Sequence, residues 1–558
     1  MNLLDKFLPR IDFADYNDFK KNYKLNIPDN FNFGYDIIDT YAAAVPDQPA
    51  LVWYRDPDHI RRFTFGELKS LSDKTANMLS SLGIGRGDKV MMMLKQRPEA
   101  WFTIIALCKL GAVAIPATFQ LTAKDIVYRC NAASVKLICA TDDEHILTAI
   151  REAKPDCPTL TGCTIVYDYD AAEETAPDFH NHRKLVDAAP ETFNRIKTDN
   201  ADRMLIYFSS GTTGMPKLIS HNFTYPLGHI TTAKYWQHIV EGGLHLTMSD
   251  SGWAKFAWGK IYGQWIAGAV IVAYDDDGKF NANHLLTALN DLKLTTFCAP
   301  PTIYRYLIKE DMSSCDFSSL RHCTTAGEPL NPEVLDRFRD ATGLEIYEGF
   351  GQSETSVLLA NFGWDKIKLG SCGKPSPLYD IDILDENGEH CEDGVVGYIV
   401  IKNAVADRPT GLFTEYCSDP DAMARAWKNG GYNTGDMAWR DSDGYFWFEG
   451  RNDDVIKCSG YRIGPFEVES ALQTHPAVLE SAVTAVPDPV RGQIVKATIV
   501  LAKGYTPSDK LKKELQEHVK RTTAPYKYPR VVEFVAELPK TTSLKIKRAD
   551  IRRADAEK

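Results

Sequence analysis

Several things are scarce in this 558-residue chain, and each scarcity removes a class of function. Its twelve cysteines are scattered without a single C-x-x-C pair, which fits neither a zinc site nor a disulfide framework. Reduced thiols and a cytoplasmic enzyme are the expectation. Positive charge is not in excess: Lys and Arg number 64 against 75 Asp and Glu, a formal net charge of −11. A nucleic-acid binder would show a basic stripe instead. Met1 to Lys24 is mixed in charge and shows no basic-plus-apolar leader. The longest apolar stretch, Trp101 to Phe119, is interrupted by Lys109 and Pro116, so it reads as a core helix followed by a strand and no stable membrane insertion is expected. Neither an internal repeat nor a low-complexity segment is present.

What is present is a large soluble protein. Charged residues make up 25% and hydrophobic ones 44%, as in globular domains, and the length exceeds one core. Short apolar strands alternate with amphipathic stretches. Val90 to Leu94, Leu137 to Ala140 and Ala269 to Tyr274 are strand-like, Glu99 to Leu110 is helical, and Thr296 to Ala299 leads into a helix near Pro301. That alternation argues for parallel α/β layers. From about Gly370 to Lys402 the pattern turns to short hairpin-like β runs. After Arg451 a compact tail begins, with helices at Pro465 to Gln473 and Ser508 to Arg521 and strands at Ser481 to Pro487 and Val495 to Leu501.

The most informative segment is Tyr207-Phe208-Ser209-Ser210-Gly211-Thr212-Thr213-Gly214-Met215-Pro216-Lys217. An apolar strand, Met204 to Phe208, breaks into a loop of hydroxyl and glycine residues closed by a lysine. Glycines let backbone N–H groups converge on an anion, hydroxyls add donors, and the lysine adds mobile positive charge. This is polyphosphate chemistry, but no Gly-Lys-Ser/Thr triplet and no helix start follow, so it is not a Walker loop. A flexible polar surface loop is the plain alternative for such a stretch standing alone.

It does not stand alone. The loop resembles the phosphate-binding loop of the adenylate-forming superfamily of acyl-CoA synthetases, adenylation domains and luciferases. Further segments follow in that family's order: Ala326-Gly327-Glu328-Pro329, Tyr347 to Thr355, Tyr432-Asn433-Thr434-Gly435-Asp436, Gly450 to Lys457, Ser459-Gly460-Tyr461-Arg462 and Pro539 to Arg548. Weaker similarity reaches Phe63 to Leu68 and Ala106 to Pro116, and the short- and medium-chain acyl-CoA synthetases are most similar. The resemblance implies an α/β fold. Its large N-terminal domain, residues 1–452, combines parallel α/β layers with a β-barrel portion, and residues 453–558 form a small mobile α+β domain.

It also implies a reaction with ATP, Mg²⁺ and CoA. A carboxylate attacks the α-phosphorus of ATP, pyrophosphate leaves, and a thiolate then displaces AMP. Roles carried over residue by residue put phosphate contacts at Ser209, Ser210, Gly211, Thr212, Thr213, Gly214 and Lys217, with Glu354 on Mg²⁺ and Ser353 at the α-phosphate, where relatives often carry Thr. Gly327, Glu328, Pro329, Glu348 and Phe350 match the adenine pocket, with Gly351 and Gln352 completing that run. Asp436 and Arg451 match the ribose contacts. Lys545 is the lysine that bridges carboxylate and α-phosphate, although Leu544 stands where relatives usually have glycine. Asp453 matches the hinge, Gly460 the pantetheine channel and Arg462 a phosphate contact in the second state.

Acetate-specific relatives have tryptophan at the position of Gly351, so its absence is expected to open the acyl pocket to acids larger than acetate. Trp236, Trp253, Trp258 and Cys298 are candidate walls for a short-to-medium, branched or aromatic acyl group. Lys255 either snorkels to water or pairs with a polar group on the acid. Two other functions stay open: an adenylation enzyme that loads a carrier-protein thiol, and a nucleotide-binding regulator that has lost catalysis. A homo-oligomer also stays open.

Overall fold

The computed structural model describes residues 1–171, 176–209, 215–276, 278, 280–328, 330, 332–428, 430–458, 461–540 and 546–557. Two large, mostly parallel sheets form its body. One has eight strands in the order Glu415–Tyr416, Lys217–Asn222, Arg203–Ser209, Val113–Pro116, Lys89–Met93, Val135–Thr141, Gly162–Val166 and His180–Asn181. The other has nine and runs from Lys374–Pro375 through Ile346–Phe350, His322–Ala326 and Thr296–Cys298 to Pro49–Asp56 and His59–Thr64.

Their strands read as unbroken apolar runs because both faces are covered. Side chains alternate across a strand, so Val90 and Met92 join the central core while Met91 and Met93 face an outer one. Leu51 and Trp53 split from Val52 and Tyr54 in the same way. Between the sheets lies the helix Glu99–Leu110, every residue of it buried, which is why its sequence shows no polar face. It stops at Gly111, whose positive φ of 67° suits a left-handed cap. Lys109, which interrupts the apolar run, is buried but neutralised by Asp73 (2.6 Å) and Asp39 (2.7 Å). Among the described residues no helix is long and apolar enough to cross a membrane.

The β-rich segment is an antiparallel five-stranded sheet built from Ile381–Leu384, Gly397–Ile401, Trp427–Lys428, Gly431–Arg440 and Phe446–Arg451. The tail forms a sheet of its own, from Ile456–Cys458 to Val531–Val535, with helices Pro465–Gln473 and Asp509–Thr522 against it and a separate core that includes Ile456, Leu472, Ile499 and Leu515. All twelve cysteines are free and nine are buried.

Candidate active site

In open α/β sheets ligands bind beyond the carboxyl ends of the parallel strands. Here Ser209, Cys298, Ala326 and Phe350 each end such a strand, and the motif residues follow on from those ends. The antiparallel sheet adds Asp436 and Arg451, which sit opposite one another in register. Three sheets thus supply one crevice.

Glu354 is its electrostatic centre. The half-buried carboxylate accepts a hydrogen bond from the Tyr416 hydroxyl at 2.8 Å, and Lys217 places its ammonium 4.8 Å from the centre of the same Tyr416 ring. Burial raises the Glu354 pKa above its ordinary value, against the opposing pull of that hydrogen bond and of the Lys217 and Arg451 charges. For Arg451 burial works the other way and is outweighed by Asp436, Asp453, Asp454 and Glu354, so its pKa is raised. Gln352 joins the two sides: its amide donates to Asp436 at 2.5 Å and to the Thr434 carbonyl at 2.9 Å, and its oxygen accepts from Tyr432 at 2.8 Å. The next residue, Ser353, is positioned through its carbonyl, 2.8 Å from Nε2 of His221.

The neighbouring motif has a different character. Gly327 adopts φ of 105°, a conformation side chains rarely take. The Glu328 carboxylate is held by Thr302 (3.0 Å) and Arg305 (3.3 Å). Glu348 is buried, accepts one backbone N–H from Leu330 at 3.2 Å, and has its pKa pushed up to about 8 by desolvation. Phe350 packs its ring 5.6 Å from that of Phe448. The Lys255 ammonium donates to the Ala326 carbonyl at 3.0 Å.

The surroundings of Gly351 correct one expectation. The space beside Gly351 is not open, because the Trp258 indole fills it. A Cβ added there would stand 2.7 Å from Cζ2 of Trp258, and closer still to Cη2. The indole is pinned by a hydrogen bond from its Nε1 to the Thr355 carbonyl at 3.1 Å. Trp236 lies edge-on to it, 6.3 Å away, and presses on Gly349 in the same manner. Cys298 is fully buried, and Trp253 caps the short helix Ala254–Lys260 that carries Lys255 and Trp258.

Asp453 sits in the turn after strand Phe446–Arg451 and pairs with Arg451 at 3.3 Å. The backbone of Arg462 pairs with Lys457 in a hairpin. Ser210, Gly211, Thr212, Thr213, Gly214, Pro329, Gly460, Leu544 and Lys545 lie outside the described residues. Sequence reasoning passed over Tyr416, His221 and Thr302, since a single tyrosine, histidine or threonine between motifs carries no spacing signal, and it quoted Tyr432 within a motif without giving it a role. Among the described residues no cluster of three or more His, Cys, Asp or Glu could hold a metal ion by itself.

Residues 38–410 match the family model described as AMP-binding enzyme, and residues 467–545 match the AMP-binding enzyme C-terminal domain. The chain is 43% identical to the mitochondrial acyl-coenzyme A synthetase ACSM3 of Mus musculus, over 97% of this chain and 94% of the relative. It is 43% identical to the mitochondrial ACSM5 of Rattus norvegicus, over 95% and 91%. Among solved structures it is similar to the anthranilate CoA ligase AuaEII in complex with anthranoyl-AMP, with a TM-score of 0.86, 28% identity and 95% and 98% of the two chains covered. A Brucella canis acyl-CoA synthetase matches with a TM-score of 0.73 and 30% identity, covering 98% and 99%. These relatives overturn the cytoplasmic expectation, since the curated ones are mitochondrial by name. Free buried thiols suit any reducing compartment and could not make that distinction.

Proposed function

The chain belongs to the AMP-binding enzyme family, in its acyl-coenzyme A synthetase branch, and on that premise we propose which residue carries each step. The protein is an acid–thiol ligase that activates a carboxylic acid with ATP and passes the acyl group to CoA. The observation that carries the assignment of roles is the convergence of Lys217, Glu354, Gln352, Asp436 and Arg451 from three sheets on one crevice.

Adenylation joins two anions, so the site must neutralise charge and hold the reactants in line. Ser209 to Gly214 and Lys217 cradle the β- and γ-phosphates, Ser353 meets the α-phosphate, and Asp436, fixed by Gln352, takes the ribose hydroxyls with Arg451. Phe350, Gly327, Glu328, Pro329 and Glu348 are the residues assigned to the adenine. Mg²⁺ fits Glu354: a lone carboxylate that burial drives toward its neutral form gains from a hard cation, which takes one or two carboxylates plus phosphate oxygens. That cation would offset phosphate charge. Lys545 stabilises the charge that develops as the carboxylate oxygen reaches phosphorus.

The thioester step uses the boundary between residues 1–452 and 453–558, with Asp453 as the hinge. Gly460 and Arg462 then face the pantetheine arm and its phosphate. The acid is short-to-medium, branched or aromatic and larger than acetate. The support is the edge-to-face pair of Trp236 and Trp258, with Trp253, Lys255 and Cys298 as further candidate walls, together with the likeness to a ligase named for anthranilate. Pyrophosphate release is to be measured with acetate, butyrate, 2-methylbutyrate, hexanoate and benzoate, with and without CoA. Release with the larger acids that turns over repeatedly only when CoA is added is expected. Acetate as the fastest acid would overturn the substrate reading, and turnover indifferent to CoA the assignment of the second step.

A further inference from the structure

A ladder of flat groups crosses the chain at Asp453. Phe350 packs on Phe448 with ring centroids 5.6 Å apart, Phe448 packs on Phe466 at 5.3 Å, and the Arg548 guanidinium lies 4.6 Å from the centre of the Phe466 ring. Phe350 and Phe448 precede Asp453, while Phe466 and Arg548 follow it. Phe466 is half-buried and takes no part in the hydrophobic core of the small sheet; its ring is covered instead by Arg548 and, from across Asp453, by Phe448. The backbone comes equally close: a side chain at Gly464 would stand 2.5 Å from the Glu449 carboxylate.

Arg548 is fixed from below by both oxygens of Glu469, at 2.8 and 2.7 Å. Its pKa is raised: burial opposes the charge, but Glu469, Asp454 and the Glu328 carboxylate of the large unit outweigh it. The helix Arg548–Ala556 opens three residues after Lys545, and it is anchored further along by Arg552 on Asp454 and by Asp555 on Lys496. The ladder therefore runs from the ring of the adenine motif to the start of the helix that follows Lys545.

We propose that Phe466, seated between Phe448 and Arg548, is the positioning residue that docks the small domain in the orientation used for adenylation. The proposal rests on the reading of Lys545 as the adenylation lysine. The contact tolerates separation, because the Arg548 guanidinium keeps its Glu469 partner within the small domain and the ring pair that meets across Asp453 is the tilted one of Phe448 with Phe466. Docking is firm enough to present Lys545 and weak enough to release it.

The test is Phe466→Ala in the full-length protein, with the two half-reactions assayed apart. An aromatic pair contributes a factor of about two to ten. Acid-dependent ATP–pyrophosphate exchange should fall by about that much, in kcat and not in the KM for the acid. Thioester formation from supplied acyl-adenylate and CoA should hold or rise. Phe466→Tyr should restore exchange, and Phe448→Ala, on the other side of the boundary, should reproduce the loss. Equal losses in both half-reactions, or no loss in either, overturn the proposal. Amide hydrogen exchange across strand Phe446–Arg451 separates this failure from that of the underlying reading. Lys545→Ala with intact pyrophosphate exchange would sink the lysine assignment, whereas unchanged protection of the strand in Phe466→Ala sinks the dock.

Discussion

The two walls of the crevice are made of different materials. On the proposed acyl side Trp236 and Trp258 press against bare backbone at Gly349 and Gly351, with no room for even a methyl group between them. On the side of the small domain the closing helix is held by ion pairs: Arg548 with Glu469, Arg552 with Asp454, and Asp555 with Lys496. Close packing has no intermediate positions, because a shift of a fraction of an ångström forfeits much of the dispersion energy. Those pairs lie within residues 453–558 and move with the helix, whereas across the boundary Phe448 meets Phe466 at 5.3 Å, a tilted ring contact of about 1 kcal/mol that can be exchanged for water at small cost. On the proposed roles, the wall that reads shape is packed, and the body that travels meets its neighbour through a ring contact that water can replace.

The contrast breaks most visibly at Lys545. If the small domain delivers one charge to a site otherwise complete, Lys545→Ala should cut adenylate formation by ~10²-fold or more, about 3 kcal/mol, as for loss of an oxyanion donor. Thioester formation from supplied acyl-adenylate should be largely spared. Equal damage to both steps would mean that the large domain, and not the travelling one, carries the chemistry.

Gly351 sharpens the other half. Because Trp258 already occupies the space, Gly351→Trp should not simply narrow the acyl profile; it should destabilise the protein, by roughly 1–3 kcal/mol or more for an overpacked site. Exchanging the rings in Gly351→Trp/Trp258→Gly should recover the Tm and alter the ranking of acids by kcat/KM. A single variant that folds normally and merely prefers acetate would show that the wall yields.

The smallest effect concerns Glu348. Its folded pKa of about 8 lies above the ordinary 4.5, so the folded state holds a proton that the unfolded chain gives up. Stability from this group is complete below pH 4.5 and is lost as pH rises toward 8. Glu348→Gln removes that titration, and its Tm should decline less than that of the parent between pH 5 and 8. Parallel profiles would assign the decline to other groups.

Sequence order alone identified the family, the alternation of strands and helices, and several element limits: the helices at Glu99–Leu110 and Pro465–Gln473 stand where periodicity put them. These are local properties, since a period of two or of 3.6 and a run of glycines and hydroxyls are written in neighbouring residues. Gly351 shows where such reading stops. That a glycine is present is a fact of sequence, but whether its missing side chain leaves a void or a seat for an indole 93 positions away is decided by packing. The same holds for Tyr416 beside Glu354, for Gln352 bridging to Asp436, and for Phe466 between Phe448 and Arg548. Each partner lies between 18 and 84 residues distant and belongs to no spacing rule. The sequence determined the chemistry available to this protein, and the tertiary structure decided which groups meet, because distance along a chain carries no information about distance in space.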